Sequence, residues 1–151
     1  MVEGQSLTPG QRARRTKTVT ARDVQLYAEI TGDRNPLHFD AEFAAGTRFG
    51  RLVAQGGITA GMLNALVAMD LPGPGTVFMS QTLRYLAPTY LGDTLTAEVE
   101  IVAVKPDKPV CQLRATITNQ DGTVVLEGEC WTYTMRPSPP GASPPGRRPN
   151  R

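Results

Sequence analysis

The stretch GITAGMLNALVAM, residues 57–69, decides how the rest of the chain must be arranged. Read as a helix, it is apolar nearly all round. Ile58, Met62 and Leu66 fall along one side, and Leu63 and Val67 along another. A helix of this kind has to be covered on most of its faces, so it is expected at the centre of the fold with other elements wrapped around it. Gly56 and Gly57 make its leading end glycine-rich, and LPGPG at 71–75 breaks the chain sharply behind it.

On the C-terminal side of this helix, four strand-like runs follow, at 76–87, 93–104, 110–119 and 123–134. Leu95, Ala97, Val99 and Ile101 alternate with Thr94, Thr96, Glu98 and Glu100, the period of two that marks a half-buried strand. Cys111, Leu113, Ala115 and Ile117 repeat the pattern. Asn119-Gln120-Asp121-Gly122 reads as a hairpin turn, and the segment around Pro106 and Pro109 as a longer connection. On the N-terminal side, Thr20 is a good N-cap for a helix over 21–30, with Asp23 near its positive end and Gly32 closing it. Val24, Tyr27 and Ala28 give that helix an inner face. Asp40 is expected to cap a short turn, AEFAA, that ends at Gly46. Helices first and an antiparallel meander after predict an α+β fold. One long helix inside a curled antiparallel sheet is the hot-dog arrangement.

A chain of 151 residues suits one domain. The expected organisation is a flexible arm over 1–15, a folded unit over 16–135 and a Pro-rich tail over 136–151, with little in the tail to bury. The net charge of +2 is too small to argue for a nucleic-acid partner, and its excess sits in Arg12, Arg14, Arg15 and Lys17 and in Arg147, Arg148 and Arg151, read as solvated ends. The sequence holds no apolar run approaching the roughly 18 residues of a membrane span, and residues 1–20 lack a signal-peptide core. Cys111 and Cys130 lie in strand patterns and are expected as buried, reduced thiols of a cytoplasmic protein. Neither stands at a ligand spacing from His38, so no metal site is expected.

The candidate site is Asp33-Arg34-Asn35-Pro36-Leu37-His38-Phe39-Asp40, which contains the single histidine and an acid five residues before it. Pro36 denies helix to Asn35 and is expected to hold the loop extended. A histidine exchanges protons near neutral pH, and a nearby carboxylate can orient it or share a water with it. Taken alone, the pair is a weak signal: a lone loop histidine is more often structural or exposed, and Asp33 can be a turn former after Gly32.

The wider pattern carries more. GDRNPLHFD, then RLVAQGGITAGML, then GPGTVFMSQTLRYLAPTYLGDTLTAEVE resembles the (R)-specific enoyl-CoA hydratases of the MaoC-like family, over roughly residues 20–134. The resemblance implies that Asp33 and His38 form a catalytic pair holding one water between them, which adds across the double bond of a trans-2-enoyl-CoA. It also implies that the Gly56 N–H binds the thioester carbonyl, with Asn35 and Pro36 bracing the loop. The substrate is then a coenzyme A thioester and no further cofactor is needed. Two positions depart from the family's pattern. Gln55 stands where histidine is common before the glycine, and Asn64 where some hydratases carry a serine near the water. Asn64 is expected to find a partner in or beside the site, because burying it unpaired costs about 1–3 kcal/mol.

Arg51, Arg84 and Tyr85 read either as contacts to coenzyme A phosphates or as solvent-facing side chains, and Trp131 and Tyr133 as core or dimer contacts. A hot-dog thioesterase and a catalytically silent acyl-CoA-binding subunit are the alternative functions. A homodimer is expected, since a single hot-dog domain leaves a sheet edge open to pairing.

Overall fold

The computed structural model describes residues 6–137 and Gly141. Its elements run β1 (Arg12–Thr18), α1 (Ala21–Thr31), α2 (Pro36–Phe39), α3 (Ala41–Ala45), α4 (Gly56–Met69), β2 (Thr76–Tyr85), β3 (Thr94–Val104), β4 (Val110–Thr118) and β5 (Val124–Thr134). The five strands make one antiparallel sheet in the order β1-β3-β4-β5-β2, curled around α4 as the hot-dog reading expects.

The alternation seen in the sequence decides which face of the sheet meets the helix. Leu95, Ala97, Val99 and Ile101 of β3 and Cys111, Leu113, Ala115 and Ile117 of β4 are all fully buried. They join Met62, Leu63, Leu66 and Val67 of α4 in one core. Of the buried residues of β5, Leu126, Cys130, Thr132 and Thr134 continue the same face. Trp131 and Tyr133 therefore point to the convex side. Trp131 lies beneath Lys105 there, its ring 5.7 Å from the ammonium, and neither aromatic enters the core. Behind α4, the Asn119–Gly122 turn closes β4 onto β5, with the Asn119 side chain accepting from the Asp121 and Thr123 N–H groups.

The N-terminal boundary needs correction. Arg12–Thr18 is the edge strand β1, paired with β3, so Arg12 to Arg15 do not belong to a flexible arm. Charge rather than apolar alternation marks this strand. Arg12 lies opposite Glu100 and Arg14 opposite Glu98, at 3.5 and 2.7 Å, as facing cross-strand pairs. Arg15 reaches Asp70 just past α4, and Lys17 meets Asp23 of α1 at 3.0 Å. The expected tail lies outside the described residues, except for Arg136, Pro137 and Gly141.

Candidate active site

Helix α1 starts where the sequence places it. Thr20 accepts from the Asp23 N–H while the Asp23 carboxylate accepts from the Thr20 N–H, a reciprocal capping box. It stops at Gly32, whose φ of 81° is left-handed and whose N–H donates to Ala28 O. That turn delivers Asp33 to the loop. Its Oδ1 accepts from the Asn35 N–H at 3.2 Å, and Asn35 Oδ1 in turn accepts from the Leu37 N–H at 3.1 Å. Asn35 is thus the N-cap of α2, with Pro36 at the first helical position. The stretch after Asn35 is not extended, as the sequence reading has it. Asn35 itself is, but proline's fixed φ and missing N–H suit the first turn of a helix, so Pro36 opens one.

The short α2 carries His38 into the interior, leaving it 8% exposed. Its Nδ1 lies 2.6 Å from Val53 O, and the Val53 N–H donates back to Leu37 O. A carbonyl only accepts, so the neutral ring carries its proton on Nδ1 and leaves Nε2 as an acceptor. Nε2 faces Asp33 Oδ2 at 3.7 Å, across a gap too long for a direct hydrogen bond. The separation is one that a water about 2.8 Å from each atom can bridge from the side, giving one hydrogen to each acceptor. The sequence pair is therefore brought together, with a buried histidine and a carboxylate that is 43% exposed at its side chain.

Gln55 ties the loop to its surroundings. It is 1% exposed, and its Nε2 donates to Val24 O at 3.1 Å, with Asp33 O at the 3.5 Å limit. Its Oε1 is buried and finds no partner among the described residues. Gln55 is also the residue immediately before α4, so one side chain links α1, the Asp33 loop and the leading end of the central helix.

At that leading end, the N–H groups of Gly56 and Gly57 find no acceptor among the described residues. Both positions exclude a side chain. A Cβ on Gly56 would lie 2.9 Å from Tyr85 Cε1, and one on Gly57 would overlap the Tyr27 hydroxyl. Two tyrosines thus pack on the helix end and leave its amides bare. Desolvation, and then Tyr27 nearby, push the Tyr85 hydroxyl above its ordinary range, which keeps it a protonated donor. Unpaired N–H groups with the positive end of a helix behind them suit an oxygen that gains negative charge.

Asn64 does not behave as expected. It is exposed and makes no hydrogen bond among the described residues, because the sheet covers the opposite side of α4. Arg84 pairs with Glu127 at 3.0 Å across β2 and β5, so its charge is already matched. Arg51 stacks on Tyr90, 4.0 Å from the ring centre. Tyr85 of the same segment packs against Gly56 and lines the cleft beside it. Sequence reasoning passed over Arg48, which lines a cleft of about 340 Å³ together with Gly56, Tyr85, Phe49 and Pro88. The single available signal was an arginine in the glycine-flanked turn TRFGR, and that alone does not separate a ligand contact from a solvated loop.

Residues 5–124 match the model of the MaoC like domain. The chain is 39% identical over 128 residues to an (R)-specific enoyl-CoA hydratase of Aeromonas caviae, covering 85% of this chain and 96% of that protein. It is 44% identical over 113 residues to a 3-hydroxybutyryl-CoA dehydratase of Methylorubrum extorquens, covering 75% and 71% respectively. Among solved structures, an (R)-hydratase from A. caviae involved in PHA biosynthesis superposes with a TM-score of 0.83 at 38% identity, covering 87% of this chain and all of the other.

Proposed function

The chain belongs to the MaoC-like dehydratase family, and from that premise we propose that it hydrates a trans-2-enoyl-CoA to the (R)-3-hydroxyacyl-CoA, or runs the reverse dehydration. It is a hydro-lyase. The observation that carries the site assignment is the 3.7 Å gap between Asp33 Oδ2 and His38 Nε2, with Nδ1 already committed to Val53 O.

In this reading Asp33 takes a proton from the shared water as its hydroxyl adds to the β-carbon. His38 holds the water's second hydrogen and so fixes the direction of the attacking lone pair. Charge moves from the double bond to the thioester oxygen, where the Gly56 N–H receives it. The abstracted proton is then delivered to the α-carbon on the same face. One proton is taken and one returned, so the pair is ready for another turnover. Asn35 and Pro36 brace the loop, and Gln55 positions Asp33 through its backbone.

The homodimer belongs to the same proposal. β2 is an edge strand with Val77, Met79 and Tyr85 exposed, and Asn64 lies on the uncovered side of α4. A second copy packed there would cover both and close the sheet edge. Light scattering should give twice the chain mass. A monomer that keeps full activity at micromolar concentration rules the pairing out.

Among the described residues, no helix is long and apolar enough to cross a membrane. Cys111 and Cys130 are free and buried, which fits a reducing cytoplasm.

The assay follows the enone absorbance of crotonyl-CoA with a thiol reagent in parallel. Burial, followed by Glu129, pushes the Cys130 thiol up to about 11, and burial raises Cys111 as well, so the protein's own thiols give little background. Loss of the enone without thiol release is the expected result. Thiol release would mean a thioesterase, and no change in either signal a silent binder.

A further inference from the structure

We propose that Arg48 receives the phosphate at the end of the pantetheine arm of the substrate, making the Gly56 cleft the carrier-arm channel. The inference rests on the thioester reading above and extends it to a residue with no assigned part. Gly56, Tyr85, Leu86, Ala87 and Pro88 line the cleft of about 340 Å³, and Arg48 is the one charged side chain on its wall among the described residues. An otherwise uncharged cleft that reaches the Gly56 amide and carries a single cation on its wall suits an amide-linked arm that bears a phosphate.

The charge of Arg48 is available. Arg12, Arg14, Arg15, Arg84 and Arg114 each have a carboxylate within 4.0 Å, whereas Arg48 has none among the described residues. Its guanidinium stands 5.7 Å from the centre of the Phe49 ring, a contact that orients the stem without occupying the donors. The backbone on either side is pinned. Thr47 Oγ1 donates to Ala44 O at 2.7 Å and accepts from the Phe49 N–H, while Tyr90 Oη donates to Phe49 O at 3.0 Å. The loop thus presents a fork of free donors from a fixed base, the form that suits phosphate recognition.

The same phosphate ends the arm of coenzyme A and of an acyl carrier protein, so the test uses four thioesters. They are crotonyl-pantetheine, crotonyl-4′-phosphopantetheine, crotonyl-CoA and crotonyl-acyl carrier protein, each with the parent and with Arg48→Ala. The readout is the ratio of kcat/KM for a phosphorylated thioester to that for crotonyl-pantetheine. Removing a hydrogen bond to a charged group should cut that ratio roughly ten- to hundred-fold, through KM rather than kcat, and Arg48→Lys should restore part of it. The phosphopantetheine arm must show the loss. A ratio unchanged in Arg48→Ala, or a loss with crotonyl-CoA only, overturns the proposal. The phosphorylated thioester with the higher parent kcat/KM identifies the natural carrier. If the parent hydrates none of the four, the functional reading fails by itself, and calorimetry with free coenzyme A then decides the site. Binding weakened at least tenfold in Arg48→Ala upholds it, and equal binding ends it.

Discussion

The β3–β5 meander and the loop region from Gly32 to Gly57 are built by different forces. In the meander, alternate side chains of three strands bury completely against α4, and the backbone bonds to itself. In the loop region, polar side chains hold the backbone: Asp33 accepts from Asn35, Asn35 from Leu37 and Asp40 from Phe43, while His38 donates to Val53. The meander needs only apolar volume at the right period and tolerates many residues at each site. The loop region needs a particular functional group at each position. Stability should therefore be concentrated in the first region and chemistry in the second, and substitutions can test that division.

The largest effect is expected at Asp33 and His38. Asp33→Asn keeps an oxygen to accept from the Asn35 N–H, so the turn survives while the base is lost. His38→Gln removes the imidazole nitrogen that accepts from the water and orients it. Positioned acid–base groups contribute about 10²–10⁴-fold, so each variant should lose turnover by roughly that factor. The double variant should lose little more, because both side chains act on one water. Melting temperatures should barely change for Asp33→Asn. An Asp33→Asn enzyme within a few-fold of the parent on crotonyl-CoA removes Asp33 from the mechanism.

Leu113→Ala is the counterpart in the meander. Leu113 is fully buried, and such truncations cost about 2–5 kcal/mol, so denaturant midpoints should drop markedly while turnover per folded molecule stays near the parent value. A selective loss of turnover in the folded fraction would show that the two regions are coupled.

Gln55→Ala sharpens the boundary between them. It frees the carbonyls of Val24 and Asp33 but also removes the unmatched Oε1, so the net stability loss should be about 1–2 kcal/mol. Turnover should fall several-fold with KM nearly unchanged, since Gln55 acts through the placement of Asp33. Equal change in kcat and KM would argue against a positioning role. Smallest of all is Arg84→Ala on the convex face. Its pair with Glu127 is largely exposed, and denaturation curves should shift by less than about 1 kcal/mol, with activity intact.

The same division governs what could be read from the residues. The three strands of the meander and the central helix are legible because burial imposes a period, and period survives in the sequence. The strand at Arg12–Thr18 escaped because its register is written in charges that pair with Glu98 and Glu100, and a run of arginines looks the same in a tail. The residues around Pro36 leave two conformations open, since proline fits both an extended loop and a first helical turn, and the choice depends on the Asn35 cap. Asp33 and His38 were legible as candidates, but their 3.7 Å separation depends on Val53, fifteen residues on from His38. The exposure of Asn64 reflects which side of α4 the sheet leaves open, which the helix's own composition does not encode.

In the proposed mechanism one water, held between Asp33 and His38, adds to one face of the enone while Gly56 holds the thioester oxygen. Hydration of crotonyl-CoA in D₂O, followed by chiral and NMR analysis of the product, tests it directly. The expected product is (R)-3-hydroxybutyryl-CoA carrying a single α-deuterium on the same face as the new hydroxyl. An (S) product, or deuterium on the opposite face, would contradict it.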